Sequence, residues 1–277
     1  MKLFIFAFIL SFKVFAVYDQ DNRVDFYKLY DPKLKELAKS VAFQIYKDEL
    51  RGWTFQRYWT IVTRPLSARG VCENERFADQ PTMRNDCSGV LVGAKTLLMP
   101  GHCITEHYCW NDLFYFMFNY HQDEVTTMSL ERHKDNFYKC EKVIKRVYNP
   151  QTAVSYALIE LNREVKGIKP AKISTNLRIE KHTELVVMGH PDGLPLKIAG
   201  DAFVTDEDDS HFVVSSDIAG SSKGSAVFNL ETSELEGFLI SGRNDYEVSS
   251  SGCKRAPVYP YSEAKELGLK AASILNL

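Results

Sequence analysis

From Ser88 onward the chain is cut into short apolar and β-branched runs separated by turn residues. Residues 88–92 and 96–99 flank the turn Gly93-Ala94-Lys95 and read as a hairpin. Runs over 113–120, 142–148 and 153–161 continue the series. A linking stretch at 167–170 precedes further runs at 185–188, 196–205, 212–216, 226–230 and 235–241. Many short strands at this spacing predict an all-β sandwich or a pair of barrels. No internal repeat or low-complexity tract interrupts them.

Helical periodicity is confined to the two ends. Asp31-Pro32 opens a stripe of Leu34, Leu37, Ala38, Val41, Ala42 and Ile45, which predicts one amphipathic helix packed on the main body. Residues 53–63, rich in aromatic and β-branched side chains, predict a strand. Ala264, Leu267, Ala271 and Leu275 predict a closing helix over 262–275.

The first residues carry a targeting pattern. Met1-Lys2 gives a positive start, residues 3–12 are apolar, and Val14-Phe15-Ala16 suits a signal peptidase. The apolar run is too short to span a bilayer. A leader over 1–16 is expected, with a mature chain from about Val17 exported to the periplasm or the medium and not held in a membrane. In such a chain the six cysteines, Cys72, Cys87, Cys103, Cys109, Cys140 and Cys253, read as disulfides before metal ligands. The formal charge of -2, with no basic tract, gives no case for nucleic-acid binding.

Three motifs carry the chemistry. The first is Asp86-Cys-Ser-Gly-Val-Leu-Val-Gly93, followed by Pro100-Gly-His-Cys103. The second is Ser155-Tyr-Ala-Leu-Ile-Glu-Leu161. The third is Asp217-Ile-Ala-Gly-Ser-Ser-Lys-Gly-Ser-Ala-Val-Phe-Asn229. Together and in this order they resemble the trypsin-like serine proteases, near the secreted bacterial glutamyl-endopeptidase branch. The resemblance covers residues 85–261.

That resemblance implies two antiparallel six-stranded β-barrels with a cleft between them, preceded by an N-terminal helical extension over 17–83 and closed by a C-terminal helix. The trypsin-like domain would span 84–277, with a first barrel at about 84–166 and a second at about 170–260. It implies a Cys87–Cys103 disulfide beneath the catalytic histidine, His102. For the other four cysteines, Cys72–Cys109 with Cys140–Cys253 is one arrangement, and the pairing stays open.

The resemblance also implies that the triad is broken. In the family an aspartate fixes the histidine tautomer and a serine attacks the substrate. Here the aspartate position falls on Ser155 and the serine position on Lys223. The oxyanion hole, formed by Ser221 and Lys223 backbone N–H groups, has Ser221 where the family has glycine. Ser221 and Ser222 both depart from the family loop, and Met99-Pro100 stands where Thr-Ala is usual. Ile240, Ser241 and Gly242 would form the strand edge that pairs with a peptide. Asn244, Asp245 and Tyr246 would lie near the specificity pocket. Scaffold residues such as Gly189-His190-Pro191, Ala226-Val-Phe-Asn229 and Gly242 are kept.

The expected function is that of an exported, catalytically inactive protease homologue with a binding or regulatory role and a protein or peptide ligand. One alternative alignment makes Ser222 the nucleophile beside His102, giving an active endopeptidase. Another alternative is an anion- or carboxylate-binding module at the old active site. No cofactor or metal is expected. His102, Cys103, His107 and Cys109 have zinc-like spacing, but bridges are the better reading in an exported chain. Residues 206–209 read as a solvated acidic loop, with calcium a distant second.

Overall fold

The computed structural model describes residues 21–52, 55–84, 87–123, 127–218, 222–257, 259–260 and 263–275. The expected leader, Trp53 and Ser221 lie outside them.

Twelve antiparallel strands close into two barrels of six. In chain order they are β1 (Val41–Tyr46), β2 (Ser88–Leu91), β3 (Thr96–Met99), β4 (Phe114–Phe118), β5 (Phe137–Asn149) and β6 (Val154–Leu161). The second barrel holds β7 (Glu184–Gly189), β8 (Lys197–Glu207), β9 (His211–Ser215), β10 (Ala226–Asn229), β11 (Leu235–Ser241) and β12 (Glu266–Lys270). The first ring runs β1-β4-β5-β6-β3-β2, and the second β7-β10-β11-β12-β9-β8. The path is the same six strands later. Closure leaves neither sheet with a bare edge.

Period-2 alternation sorts the side chains into three cores. Leu91, Leu97, Phe116, Ala157 and Ile159 fill the first barrel. Leu185, Val187, Val204, Phe212, Val227 and Leu239 fill the second. Their sequence neighbours Val90, Leu98, Val186, Met188, Phe228 and Phe238 turn outward into the layer joining the barrels. A small sheet of Leu50–Arg51, Tyr58–Val62 and Ser129–His133 covers Phe43, Ile45 and Met117. The strand expected over 53–63 is Tyr58–Val62.

The predicted amphipathic helix is shorter than its stripe. Asp31 caps it by accepting the Lys33 N–H, Pro32 takes the first turn, and it ends at Lys39. Ser40 closes the last turn, its hydroxyl donating to the Leu37 carbonyl at 2.6 Å. Val41–Tyr46 then becomes β1, because it is buried on both faces. Ala42 enters the first barrel, and Phe43 and Ile45 lie under the covering sheet. A strand buried on both faces is continuously apolar, so its pattern can be read as a continuing helix. The first barrel therefore starts at Val41, not near residue 84.

The C-terminal expectation fails as well, because the helical spacing of Ala264, Leu267 and Ala271 runs through a strand. Residues 266–270 form β12, and only Ala271–Leu275 is helical. β12 is the strand that closes the second barrel, pairing with β11 and β9. Gly268 permits this, since a Cβ there would meet the Phe212 ring at 2.3 Å. The barrel accordingly ends at Lys270 rather than near residue 260.

Cys87–Cys103 is bridged, with Cα atoms 6.1 Å apart. The other bonds are Cys72–Cys253 and Cys109–Cys140, not Cys72–Cys109 and Cys140–Cys253. Cys109 lies on the short helix Glu106–Trp110, which packs on β5 and so faces Cys140. Cys72 is brought to Cys253 by backbone pairing, with the Cys72 N–H donating to the Lys254 carbonyl at 3.0 Å.

Candidate active site

His102 sits in the turn that follows β3, between β3 and the Glu106–Trp110 helix. Gly101 lets that turn lie flat against the barrel, because a Cβ would meet the Val147 carbonyl at 2.2 Å. The turn is clamped from two sides. Gln44 Nε2 donates to the Cys103 carbonyl at 3.0 Å. Arg146 Nε donates to the carbonyls of Gly101 and Ile104, at 2.6 and 2.8 Å. Arg146 and Gln44 belong to no motif, and sequence reasoning missed both. Tyr148 adds a ring 6.0 Å from the imidazole.

Ser155, at the start of β6, lies under this ring and is 5% exposed. Its Oγ accepts the His102 backbone N–H at 3.2 Å and stands 2.9 Å from Nδ1. The chemical difference from a carboxylate is sharp. A carboxylate only accepts, so it holds the ring proton on Nδ1 and leaves Nε2 as a base. A hydroxyl can also donate. When the Ser155 hydrogen turns to Nδ1, the ring proton moves to Nε2, where it abolishes the base. A hydroxyl also carries no charge to stabilise imidazolium.

The loop before β10 is fastened to both barrels. The Ser88 N–H donates to the Lys223 carbonyl at 2.8 Å, and the Gly224 N–H to the Leu239 carbonyl at 2.7 Å. Gly224 has φ of 83°, and a Cβ there would meet the Ser88 carbonyl at 2.0 Å. Lys223 is thus held at the junction of the barrels, with its side chain exposed. Ser222 points elsewhere. It is 2% exposed, its Oγ is 2.5 Å from Ser225 Oγ, and both hydroxyls pack over Gly189.

A cavity of about 430 Å³ opens beside this loop. Lys223, Ser241, Gly242, Asn244, Asp245 and Tyr246 line it, so the structure brings these expected residues together. Ile240 is the buried neighbour on β11. Two further lining residues were missed, Asp192 and Lys254. Asp192 sits in the Pro-Asp-Gly turn at φ of 52°, a turn signal the sequence does carry. Lys254 follows Cys253 and is located by the disulfide, which spacing alone does not reveal. Burial raises the Tyr246 phenol well above its usual pKa, so the cavity wall keeps a neutral hydroxyl there.

His190 is structural in its contacts. Its Nδ1 donates to the Leu194 carbonyl at 3.1 Å, and the ring stacks on Tyr120. The sulfurs of Cys87 and Cys103 lie near His102, and Cys109 belonged to the zinc-like spacing. All three are consumed by disulfides and offer no thiolate to a metal.

Two closed barrels with a histidine at their junction define the chymotrypsin class of architecture. A family model of the trypsin-like peptidase domain matches residues 87–237, and the chain belongs to that family. A solved structure of the Vibrio cholerae VesB protease is similar, with a TM-score of 0.55 and 10% identity. The match covers 92% of this chain and 65% of that one, so this chain spans less than two thirds of its length. At that identity the likeness shows the fold alone. No curated protein matched the sequence. Three disulfides accord with export, and no helix among the described residues is long and apolar enough to cross a membrane.

Proposed function

We propose that this chain is an exported, non-hydrolytic protease homologue, related to the glutamyl-endopeptidase branch, whose cleft binds a protein or peptide segment. The single observation that carries the reading is the pairing of His102 with Ser155 in place of a carboxylate. Lys223 at the loop fastened between the barrels supports it, since an ammonium cannot form the acyl-enzyme ester of this mechanism. The alternative nucleophile, Ser222, has its hydroxyl bonded to Ser225 over Gly189. That arrangement speaks against an active endopeptidase. A fluorophosphonate probe tests the point, because only an activated serine reacts. No labelling of the wild-type protein is expected. Labelling abolished by Ser222→Ala would overturn the reading.

One observation favours a narrower version, in which the cleft holds a carboxylate. Lys223 and Lys254 line the same cavity, with the carboxylates of Asp192 and Asp245 also in its wall, so an incoming carboxylate depends on the exposed Lys223 rather than on a net positive charge. Neutral hydroxyl and amide donors from Ser241, Tyr246 and Asn244 share it. Calorimetric titration with peptide acids and their C-terminal amides separates the two versions. Tighter binding of acids, lost in Lys223→Ala, is the expected result; equal affinity would reject carboxylate recognition.

A further inference from the structure

A second cavity, of about 550 Å³, lies away from the protease cleft, against the small covering sheet. Glu49, Arg51, Val62, Arg64, Ala68, Arg69, Thr82 and Arg84 line it. Four arginines line it from four separate segments. Arg51 ends the strand Leu50–Arg51, and Arg64 opens Arg64–Pro65. Arg69 ends the 3-10 turn Leu66–Arg69, and Arg84 follows the strand Pro81–Thr82. The nearby carboxylates are Glu49 and Asp48, both facing Arg84. Four cations against two anions leave a local excess of two positive charges in a chain whose formal charge is -2.

The arginines are positioned rather than loose. Arg69 Nε donates to Thr82 Oγ1 at 3.0 Å and Nη2 to the Met83 carbonyl at 2.8 Å, which leaves Nη1 for a ligand. Thr82 is itself fixed, its hydroxyl donating to the Arg64 carbonyl at 2.9 Å. Arg84 is stacked over the Tyr46 ring at 4.0 Å and paired with Asp48. Arg51 Nη1 donates to the Asp48 carbonyl at 2.6 Å. The Arg64 guanidinium makes no ion pair among the described residues. Every basic residue of this lining is arginine and none is lysine. That choice suits planar, two-point recognition of tetrahedral oxyanions, which an ammonium cannot provide.

We propose that this cavity is a second binding site, distinct from the cleft, for a phosphate- or sulfate-type ester group carrying at least two negative charges. The same chemistry can come from a soluble phosphate ester or from a lipid headgroup. Arg84 is balanced by Asp48 and Glu49, so Arg51, Arg64 and Arg69 share one concave surface without an ion pair among the described residues, and a multiply charged anion relieves their repulsion.

The test uses the full mature chain and two probes. Inorganic tripolyphosphate is titrated calorimetrically at low salt, and vesicles of phosphatidylcholine with phosphatidic acid are used in sedimentation. Tripolyphosphate should bind, and Arg64→Ala and Arg51→Ala should each weaken it at least tenfold. Arg64→Lys should weaken it several-fold although the charge is kept. Both arginines are exposed, so these variants keep the fold, which thermal melts verify. Tripolyphosphate binding without vesicle binding assigns a soluble ester; binding of both assigns a membrane headgroup. No tripolyphosphate binding, vesicle binding alone, or undiminished binding in the Arg51→Ala/Arg64→Ala protein would each overturn the proposal. The arginine variants lie outside the cleft, so their effect leaves the protease-homologue reading to its own test.

Discussion

Ser155 Oγ stands 2.9 Å from Nδ1 of His102 and accepts the His102 backbone N–H at 3.2 Å. One buried hydroxyl thus makes both contacts that would orient the imidazole. What is lost is the charge and the obligatory acceptor character. The ring stays anchored while the reason for its basicity is gone. A scaffold under selection for packing alone would keep this geometry, and so would one that uses the histidine for binding.

The first prediction follows from that exchange. Ser155→Asp places a carboxylate against Nδ1, which stabilises the protonated ring. The His102 pKa should rise by about one pH unit or more in the variant. It should also shift the ring proton to Nδ1. Nitrogen-15 NMR of the imidazole reads both effects. An unchanged titration would mean that Ser155 and His102 are not paired in solution.

Restoring hydrolysis needs more than one residue. Lys223→Ser with Ser155→Asp rebuilds the triad side chains on a loop already fastened to Ser88 and Leu239. Slow labelling by a fluorophosphonate is expected where the wild type shows none. The rate should remain about 10²–10³ below that of an intact site, the usual cost of one weak oxyanion donor. Adding Ser221→Gly should recover part of it. A double variant as inert as the wild type would show that the loop itself, not these side chains, blocks the chemistry.

The barrels were legible where turn residues punctuate short runs, as Gly93-Ala94-Lys95 does in the 88–99 hairpin, which pairs Leu91 with Leu97. β1 and β12 were misread for different reasons. Val41–Tyr46 is covered on two faces and loses the alternation that marks a strand, whereas in Glu266–Lys270 the short alternation of Leu267 and Leu269 is overridden by the helical spacing of Ala264, Leu267 and Ala271. In the site, Ser155 and His102 come from two separate motifs, and the structure sets Ser155 Oγ 2.9 Å from Nδ1. Arg146, Asp192 and Lys254 escaped notice because their positions depend on register, on a turn and on a disulfide that joins distant segments. The buried Lys197 escaped too. It donates to Asp25 Oδ1 at 2.6 Å and Gln80 Oε1 at 2.7 Å, which ties the short strand Arg23–Asp25 to β8 of the second barrel. A lysine in a strand pattern reads as solvent-facing until its partners are known.

The Cys72–Cys253 bridge should govern the cleft wall. It closes a sequence separation of 181 residues, against 16 for Cys87–Cys103. In the chain-entropy picture the ceilings on stabilisation are about 5 and 3 kcal/mol. Replacing both Cys72 and Cys253 by serine should therefore lower the unfolding free energy by at most about 5 kcal/mol. Hydrogen exchange should localise the effect. The amides of Gly252 and Lys254, bonded to the carbonyls of Ser249 and Gly70, should lose more protection than the β7 amides, which fall only with the global stability. Uniform loss across both barrels would mean that the bridge stabilises the whole fold rather than this loop.

The last prediction concerns acid. His190 is 1% exposed, and burial pushes its pKa down to about 3 from the ordinary 6.5. The hydrogen bond to the Leu194 carbonyl works in the opposite direction and only partly offsets the loss of water. Between those two values the unfolded chain binds a proton that the folded chain refuses. Stability from this group is therefore complete above about pH 6.5 and is lost as pH falls toward about 3. The slope from this residue should be about 1.4 kcal/mol per pH unit within that window. His190→Gln keeps a donor for the Leu194 carbonyl and removes the titration. Denaturant melts at a series of pH values should show a flatter acid limb in the variant, by about one proton's slope. Parallel limbs in the two proteins would show that His190 does not stay neutral in the folded barrel.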